Sequence, residues 1–311
     1  MLDVLLGFSV IGFVIAVGWL LAKLGIVDAR QRVPLNQVAF FAASPALLFT
    51  ILARADVALL FSGSLVAHLL AVTIVGIPLA AALWWWGTRD VGKLLIASHA
   101  GVYTNSNNIG LPVAVYVIGD GQYVAPLLLL QLLVMSPLLL AGLDMAAEGR
   151  VSLRKVLAQP VRNPIVFGSA LGVVVAVLGW ELPRVVLAPL ELLGGAAVPL
   201  MLLAFGMSLH GARPLAEAES RMVVVAATMA KSVVLPVVAW LAATYVVQLP
   251  PDMVFAAVVV AALPTAQNMY QYALRYATAE LVARDAVLLT TALSLPTLLV
   301  VALLLHPGAN V

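Results

Sequence analysis

Residues 103–112 read Tyr-Thr-Asn-Ser-Asn-Asn-Ile-Gly-Leu-Pro, a polar stretch in the middle of the apolar segment 91–118. Inside a membrane such groups must be satisfied by protein, water or ligand. Pro112 removes a backbone N–H, which frees carbonyls near residue 108, and Gly110 permits unusual backbone angles. The stretch therefore predicts either an interrupted membrane helix that binds something, or a proline-kinked helix whose asparagines bond to neighbouring helices.

The composition around this stretch is that of a membrane protein. The chain has 311 residues, of which 64% are hydrophobic and only 10% charged, whereas soluble domains carry about 25% charge. This excludes a water-soluble enzyme and a disordered chain. The net charge of +2 gives no sign of a nucleic-acid partner. The absence of cysteine excludes disulfides and thiolate chemistry.

Ten apolar stretches are long enough to span a bilayer, which takes about 20 residues each. They are 4–24, 34–53, 58–86, 91–118, 122–144, 163–180, 184–209, 221–248, 252–274 and 281–305. Their length and continuity favour helices over barrel strands. The first stretch has no basic segment before it and no clear cleavage site, so we expect a retained helix.

Basic residues fall almost entirely on one side of these stretches. Only Arg54 and Arg184 follow even-numbered stretches, and Lys231 lies within one. The other thirteen follow odd-numbered stretches: Lys23, Arg30, Arg32, Arg89, Lys93, Arg150, Arg154, Lys155, Arg162, Arg213, Arg221, Arg275 and Arg284. Since basic loops stay in the cytoplasm, the sequence predicts ten helices with both termini on the non-cytoplasmic side.

The two halves of the chain share landmarks. Pro45 corresponds to Pro199 at a displacement of 154 residues, and the pairs Pro78–Pro236 and Pro137–Pro296 follow at 158 and 159. A repeat of five helices must enter the membrane in inverted orientation. Inverted repeats are typical of secondary transporters that bind substrate at broken helices near the bilayer midplane. We therefore predict an all-α membrane protein built as a 5+5 inverted repeat.

The ninth stretch contains a second polar island, residues 263–268, which reads Leu-Pro-Thr-Ala-Gln-Asn. At a displacement of 159, Asn108 corresponds to Gln267, so we expect helices 4 and 9 to be broken and to cross. Helix N-termini at the crossing would suit an anion, and freed carbonyls would instead suit a cation. The candidate substrate-binding residues are Asn105, Asn107, Asn108, Gly110, Pro112, Pro264, Thr265, Gln267 and Asn268.

Three further residues are candidates for coupling or charge balance. Lys231 lies within the eighth stretch, where a charge usually faces a partner or an aqueous cavity. It can balance an anionic substrate, act as a built-in cation, or serve a structural pair. His68 and His99 are candidates for proton coupling, or are hydrogen-bonded core histidines.

Enzyme signatures are missing from the sequence. It contains no H-E-x-x-H, G-x-S-x-G, P-loop or G-x-G-x-x-G motif. Four scattered histidines and no acidic pair within the membrane argue against a metal centre. We therefore predict no catalytic residues, no metal and no cofactor.

These motifs resemble those of the auxin efflux carrier family. Residues 107–112 and Gly119-Asp120 are similar to its fourth-helix motif, and residues 262–268 are similar to the ninth-helix motif of its bacterial branch. Residues 44–47 and 198–200 resemble its second- and seventh-helix patterns. The resemblance covers essentially the whole chain.

The resemblance implies a fold related to sodium–bile acid symporters, elevator-type alternating access and a homodimer. It also implies a scaffold of helices 1, 2, 6 and 7 and a transport domain of helices 3–5 and 8–10. On this chain these correspond to residues 1–57 and 151–210 for the scaffold and linker, and 58–150 and 211–311 for the transport domain. The implied substrates are malonate-like carboxylates or auxin-like indole acids. The short central loop favours a bacterial inner-membrane protein.

We therefore predict a secondary transporter of small organic anions whose partners are its substrate, the lipid bilayer and a second copy of the chain. Three alternatives stay open. One is a sodium-coupled symporter of the bile-acid type, and another is a membrane sensor or scaffold that does not transport. A channel is the third.

Overall fold

The computed structural model describes residues 2–27, 32–55, 63–86, 88–148, 164–211, 215 and 218–305. Most of these residues are helical, and the only β-type pairing among them is an isolated bridge between Thr104 and Thr265. The all-α prediction is confirmed. The domain boundaries predicted at residues 57 and 150, and most of the central loop 145–162, lie outside the described residues.

Thirteen helices follow one another along the described part of the chain. They are α1 (Leu2–Lys23), α2 (32–52), α3 (Gly63–Trp86), α4 (Val91–Ala100), α5 (106–118), α6 (121–148), α7 (Pro164–Leu178), α8 (Arg184–Gly195), α9 (Ala197–Leu209), α10 (218–246), α11 (Pro251–Ala262), α12 (Asn268–Arg275) and α13 (Glu280–Leu305).

Most of the described helices are apolar, and several have the length of membrane spans. Five helical ranges are long and apolar enough to cross a bilayer: Gly63–Trp86, Gly121–Ala147, Arg184–Met207, Ser220–Val246 and Glu280–Leu305. Five shorter apolar helices are Ser9–Lys23, Ala39–Leu52, Ser106–Ile118, Pro164–Leu178 and Pro251–Ala262. Large apolar side chains such as Trp85, Val185 and Leu192 are at least 76% exposed, as expected where lipid covers the protein.

Several prolines are accommodated by π-helical turns. Such turns end two residues before Pro45, Pro112, Pro137 and Pro236. Proline disturbs an ordinary α turn, because it lacks an N–H and its ring is bulky. The wider π turn leaves room for the ring. Helix α5 runs through Pro112, and the interruption in the polar stretch lies before Ser106.

One group of helices packs through close backbone contacts. Helix α1 lies along α9, and α7 and α8 pack on the C-terminal part of α2. A Cβ on Gly18 would lie 2.2 Å from the carbonyl oxygen of Leu203, and one on Gly206 would lie 2.0 Å from that of Ile15. Only glycine permits this approach, which is a common device between membrane helices.

The remaining helices form a second group. Helix α10 packs on α13 and α4, and α11 packs on α10 and α13. Helix α5 contacts α1 and α9 of the first group. The polar residues at the start of α5 therefore lie where the two groups meet.

Candidate functional site

Two helices stop inside the second group and restart a few residues later. Helix α4 ends at Ala100 and α5 begins at Ser106, and α11 ends at Ala262 and α12 begins at Asn268. We call residues 101–105 the first break and residues 263–267 the second break. Each break leaves the backbone groups at two helix ends without their usual intrahelical partners.

The two breaks bond to each other as a short antiparallel pair. The N–H of Asn105 donates to the carbonyl oxygen of Pro264 at 2.7 Å, and the N–H of Ala266 donates to that of Tyr103 at 3.0 Å. Thr104 and Thr265 lie opposite each other in this bridge. The breaks, separated by about 160 residues in sequence, therefore form one structural unit.

The second break is fully bonded at its centre. Thr265 is completely buried. Its N–H donates to Thr290 Oγ1 at 3.0 Å, and its hydroxyl donates to the carbonyl oxygen of Ala100 at 2.6 Å. Thr265 thereby ties the second break to α13 and to the end of α4.

The first break is held by a residue that the sequence analysis did not identify. Gln131, buried in α6, donates from Nε2 to the carbonyl oxygen of Thr104 at 2.9 Å and accepts from Ser106 Oγ at 2.9 Å. It is the only amide side chain in the apolar residues 125–147. That isolation was the signal that could have identified it.

Helix α5 starts here because Asn105 caps it: Asn105 Oδ1 accepts from the N–H of Asn108 at 3.1 Å. Three buried polar atoms beside this cap have no hydrogen-bond partner among the described residues, namely Thr104 Oγ1, Asn105 Nδ2 and Asn107 Oδ1. Because buried polar atoms are rarely left unpaired, such a cluster indicates a place for water or ligand.

The candidate residues divide by accessibility. Five are buried: Asn105, Pro264 and Thr265 lie in the breaks, whereas Gly110 and Pro112 lie within α5. Those that remain partly accessible are Asn107, Asn108, Gln267 and Asn268.

Asn107 faces the first helix group. Its Nδ2 lies 2.9 Å from Asn108 Oδ1, and it approaches Ser44 Oγ of α2 at 3.5 Å and Met201 Sδ of α9 at 3.8 Å. The accessible amides at the start of α5 thus lie beside side chains of both groups.

The three coupling candidates lie in different places. Lys231 is fully buried in α10, and its ammonium donates to the carbonyl oxygen of Ala261 at 2.6 Å, next to the second break. His68, buried in α3, is within electrostatic range of Lys231. His99 bonds through Nδ1 to the carbonyl oxygen of Leu95 in its own helix at 2.9 Å, which fits the structural interpretation.

Two further features of the structure concern metal ligands and cavities. In the described part of the chain no group of three acidic or histidine side chains could hold a metal ion. A cavity of about 280 Å³ lies elsewhere, lined by Thr50, Ile51, Arg54, Ala55, Asp120, Gln122 and Glu191. Glu191 of this lining pairs with both Arg54 and Arg184, and Asp120 is hydrogen-bonded by Gln122.

Comparison with known proteins adds three findings. A family model described as "Membrane transport protein" matches residues 9–302. A Rhizobium meliloti protein named "Putative malonate transporter" is 27% identical over 302 residues, which cover 95% of this chain and 93% of that protein. A Methanothermobacter thermautotrophicus protein named "Uncharacterized transporter" is 28% identical over 203 residues, 63% of this chain and 65% of that protein.

Proposed function

Because this chain belongs to the membrane transport protein family, we propose that it is a secondary transporter that carries small organic anions by alternating access. Membership confirms the resemblance to auxin efflux carriers, and it identifies a membrane transporter rather than an enzyme. The preferred cargo is a small carboxylate of the malonate type, as the name of the Rhizobium meliloti relative suggests. Auxin-like indole acids are the second choice.

One observation supports this proposal above the others. At the paired breaks, accessible amide side chains lie beside buried polar atoms that have no hydrogen-bond partner among the described residues. Helices α5 and α12 both begin at this pair, and helix N-termini carry partial positive charge that favours carboxylates. In this proposal the cargo carboxylate lies at the helix starts and accepts hydrogen bonds from Asn107, Asn108, Gln267 and Asn268. Asn105 and Thr265 position these groups.

The movement that we propose follows the two helix groups. The group that includes α1, α2, α7, α8 and α9 acts as the scaffold, and the group that carries the breaks slides against it. The close glycine contacts of Gly18 and Gly206 support a rigid scaffold, and α5 lies at the sliding boundary. The proposal includes ten spans in an inverted repeat, a homodimer, an inner-membrane location and both termini outside the cytoplasm.

Uptake of radiolabelled malonate into proteoliposomes tests the site. Asn108→Ala and Asn268→Ala should each lower the initial rate about tenfold, since a hydrogen bond to a charged group contributes roughly 1.5–3 kcal/mol. Gln271 is an exposed amide of α12, one turn beyond Gln267. Its variant Gln271→Ala is the matched control and should transport normally. Normal uptake by folded Asn108→Ala and Asn268→Ala would reject the site.

The same vesicles separate the alternatives. A carrier exchanges external labelled malonate for internal unlabelled malonate, whereas a sensor binds malonate without exchange. Uptake that needs sodium would favour a symporter of the bile-acid type. Thermal unfolding of the purified protein with malonate or an indole acid distinguishes the two cargo classes.

A further inference from the structure

The side of Asn107 that faces the first helix group is closed by a buried wall. Its Nδ2 lies 3.5 Å from Ser44 Oγ of α2 and 3.8 Å from Met201 Sδ of α9. The hydroxyl of Ser44 in turn donates to Met201 Sδ at 3.6 Å. Both wall side chains are almost completely buried. Any cargo that binds beside Asn107 on this side therefore meets Met201.

Met201 is the long side chain in a cluster whose other buried members are small. Those members are Ala39, Ala43 and Ala197, from α2 and α9. An alanine has no side-chain torsion through which it could fill a neighbouring space. Shortening Met201 should therefore leave a cavity beside the amides, because the buried neighbours cannot close it.

The backbone behind Ser44 is fixed by a neighbouring helix. A Cβ on Gly168 of α7 would lie 2.7 Å from the carbonyl oxygen of Pro45, so α7 packs directly on the α2 backbone next to Ser44. This contact leaves α2 no room to move away from the boundary, because close-packed interiors yield little. The wall can therefore adapt to a cargo mainly through Met201, whose unbranched side chain is flexible.

Met201 offers the cargo an apolar surface. Its sulfur is a weak hydrogen-bond acceptor and has no proton to donate, so it cannot hold a carboxylate. In the proposed function the amides at the starts of α5 and α12 hold the carboxylate instead. The uncharged part of the cargo, which is the methylene in malonate, then faces the wall.

We infer that Met201 is a specificity-determining residue of this transporter. Its side chain fills the space that a bulky substituent on the cargo needs, and it restricts the site to small acids such as malonate. The inference rests on the proposed function, and it deepens that proposal by assigning the choice between malonate-like and aromatic acids to one side chain. Since a single methylene in an apolar pocket changes selection by about 10- to 200-fold, loss of the methionine side chain beyond Cβ is large enough to alter the choice.

Phenylmalonate tests the inference, because it keeps both carboxylates of malonate and adds one aromatic ring. In proteoliposomes the wild type should carry malonate and discriminate against phenylmalonate. Met201→Ala should raise phenylmalonate uptake relative to malonate uptake by about tenfold or more. Met201→Leu keeps the volume without the sulfur and should keep the wild-type preference. Met229 is an exposed methionine of α10, and its variant Met229→Ala is the matched control, which should also behave as wild type.

Binding to the purified protein separates the inference from the proposed function. Phenylmalonate should raise the melting temperature of Met201→Ala and leave that of the wild type unchanged. If the wild type carries no malonate but this gain occurs, the proposed function fails and the role of Met201 as the size limit stands. Wild-type protein that binds phenylmalonate as well as malonate, or a folded Met201→Ala that gains no binding, would overturn the inference. An equal gain in Met201→Leu would also overturn it, because the volume would then not matter.

Should Met201→Ala not fold, Met201→Val replaces it, because it removes the end of the side chain and leaves a smaller cavity. A folded Met201→Val that binds phenylmalonate supports the inference. A folded Met201→Val with the wild-type preference rejects it.

Discussion

The two breaks are bonded to each other, yet their buried polar groups are hydrogen-bonded to different extents. At the centre of the second break, both the N–H and the hydroxyl of Thr265 are bonded. At the centre of the first break, the buried hydroxyl of Thr104 and the buried Asn105 Nδ2 have no hydrogen-bond partner among the residues that the structure describes. The difference indicates that the second break anchors the pair, whereas the first break keeps polar groups that are not bonded to the described residues.

The largest effect is expected from removing the support of the first break. Gln131→Leu keeps the volume but removes two buried hydrogen bonds, one to the carbonyl oxygen of Thr104 and one from the hydroxyl of Ser106. The oxygen of Thr104 still accepts from the N–H of Ser106. A hydrogen bond contributes about 0.5–1.5 kcal/mol, so the loss of both should lower the free energy of unfolding by about 2 kcal/mol. Unfolding of the purified protein by a denaturing detergent measures this loss. An unchanged unfolding midpoint would contradict the role of Gln131 as the support.

A matched pair of substitutions compares the two breaks directly. Thr265→Val removes the bond to Ala100 and leaves a buried oxygen unsatisfied, which should lower stability by about 1–3 kcal/mol. Thr104→Val removes a hydroxyl that has no partner and should be close to neutral. The two melting temperatures, measured side by side, decide the comparison. Equal losses would show that Thr265 is not the anchor.

The smallest effect concerns the contact between α5 and the second break. A Cβ on Gly110 would lie 2.8 Å from Leu263 Cδ1 and 3.3 Å from the oxygen of Asn105. Since the end of a leucine side chain can move, Gly110→Ala should cost only about 1 kcal/mol. Gly195→Ala, whose Cβ would meet no atom within 4 Å, is the control and should not destabilise. A gain in melting temperature for Gly110→Ala would show that the breaks are less tightly packed.

Part of this site could be predicted from the sequence. Asn, Gln and Pro within apolar stretches are costly in a membrane, so residues such as Asn107 and Gln267 are visible as exceptions. Gln131 was overlooked because a single amide in an apolar helix has several ordinary explanations. Thr265 was identified as a candidate, but its role as an anchor depends on Thr290 and Ala100, which are remote in sequence.

The location of the first interruption could not be predicted. A missing N–H at Pro112 is a local property, but the response of the helix to it is not. The π turn Ser106–Gly110 absorbs the proline, and the break forms earlier, where the N–H of Asn105 can bond to Pro264. The position of the first break therefore depends on a hydrogen-bond partner in the second break, which is remote in sequence.

The sequence by itself determined that this is a helical membrane protein with two polar islands, because hydropathy and residue type act locally and the bilayer penalises every exception. Tertiary structure alone decided which polar atoms are satisfied and that Lys231 lies against the end of α11. Hydrogen bonds across helices depend on donor–acceptor distances set to within a few tenths of an ångström, between residues 27 to 165 positions apart in the chain, and no local pattern encodes such distances.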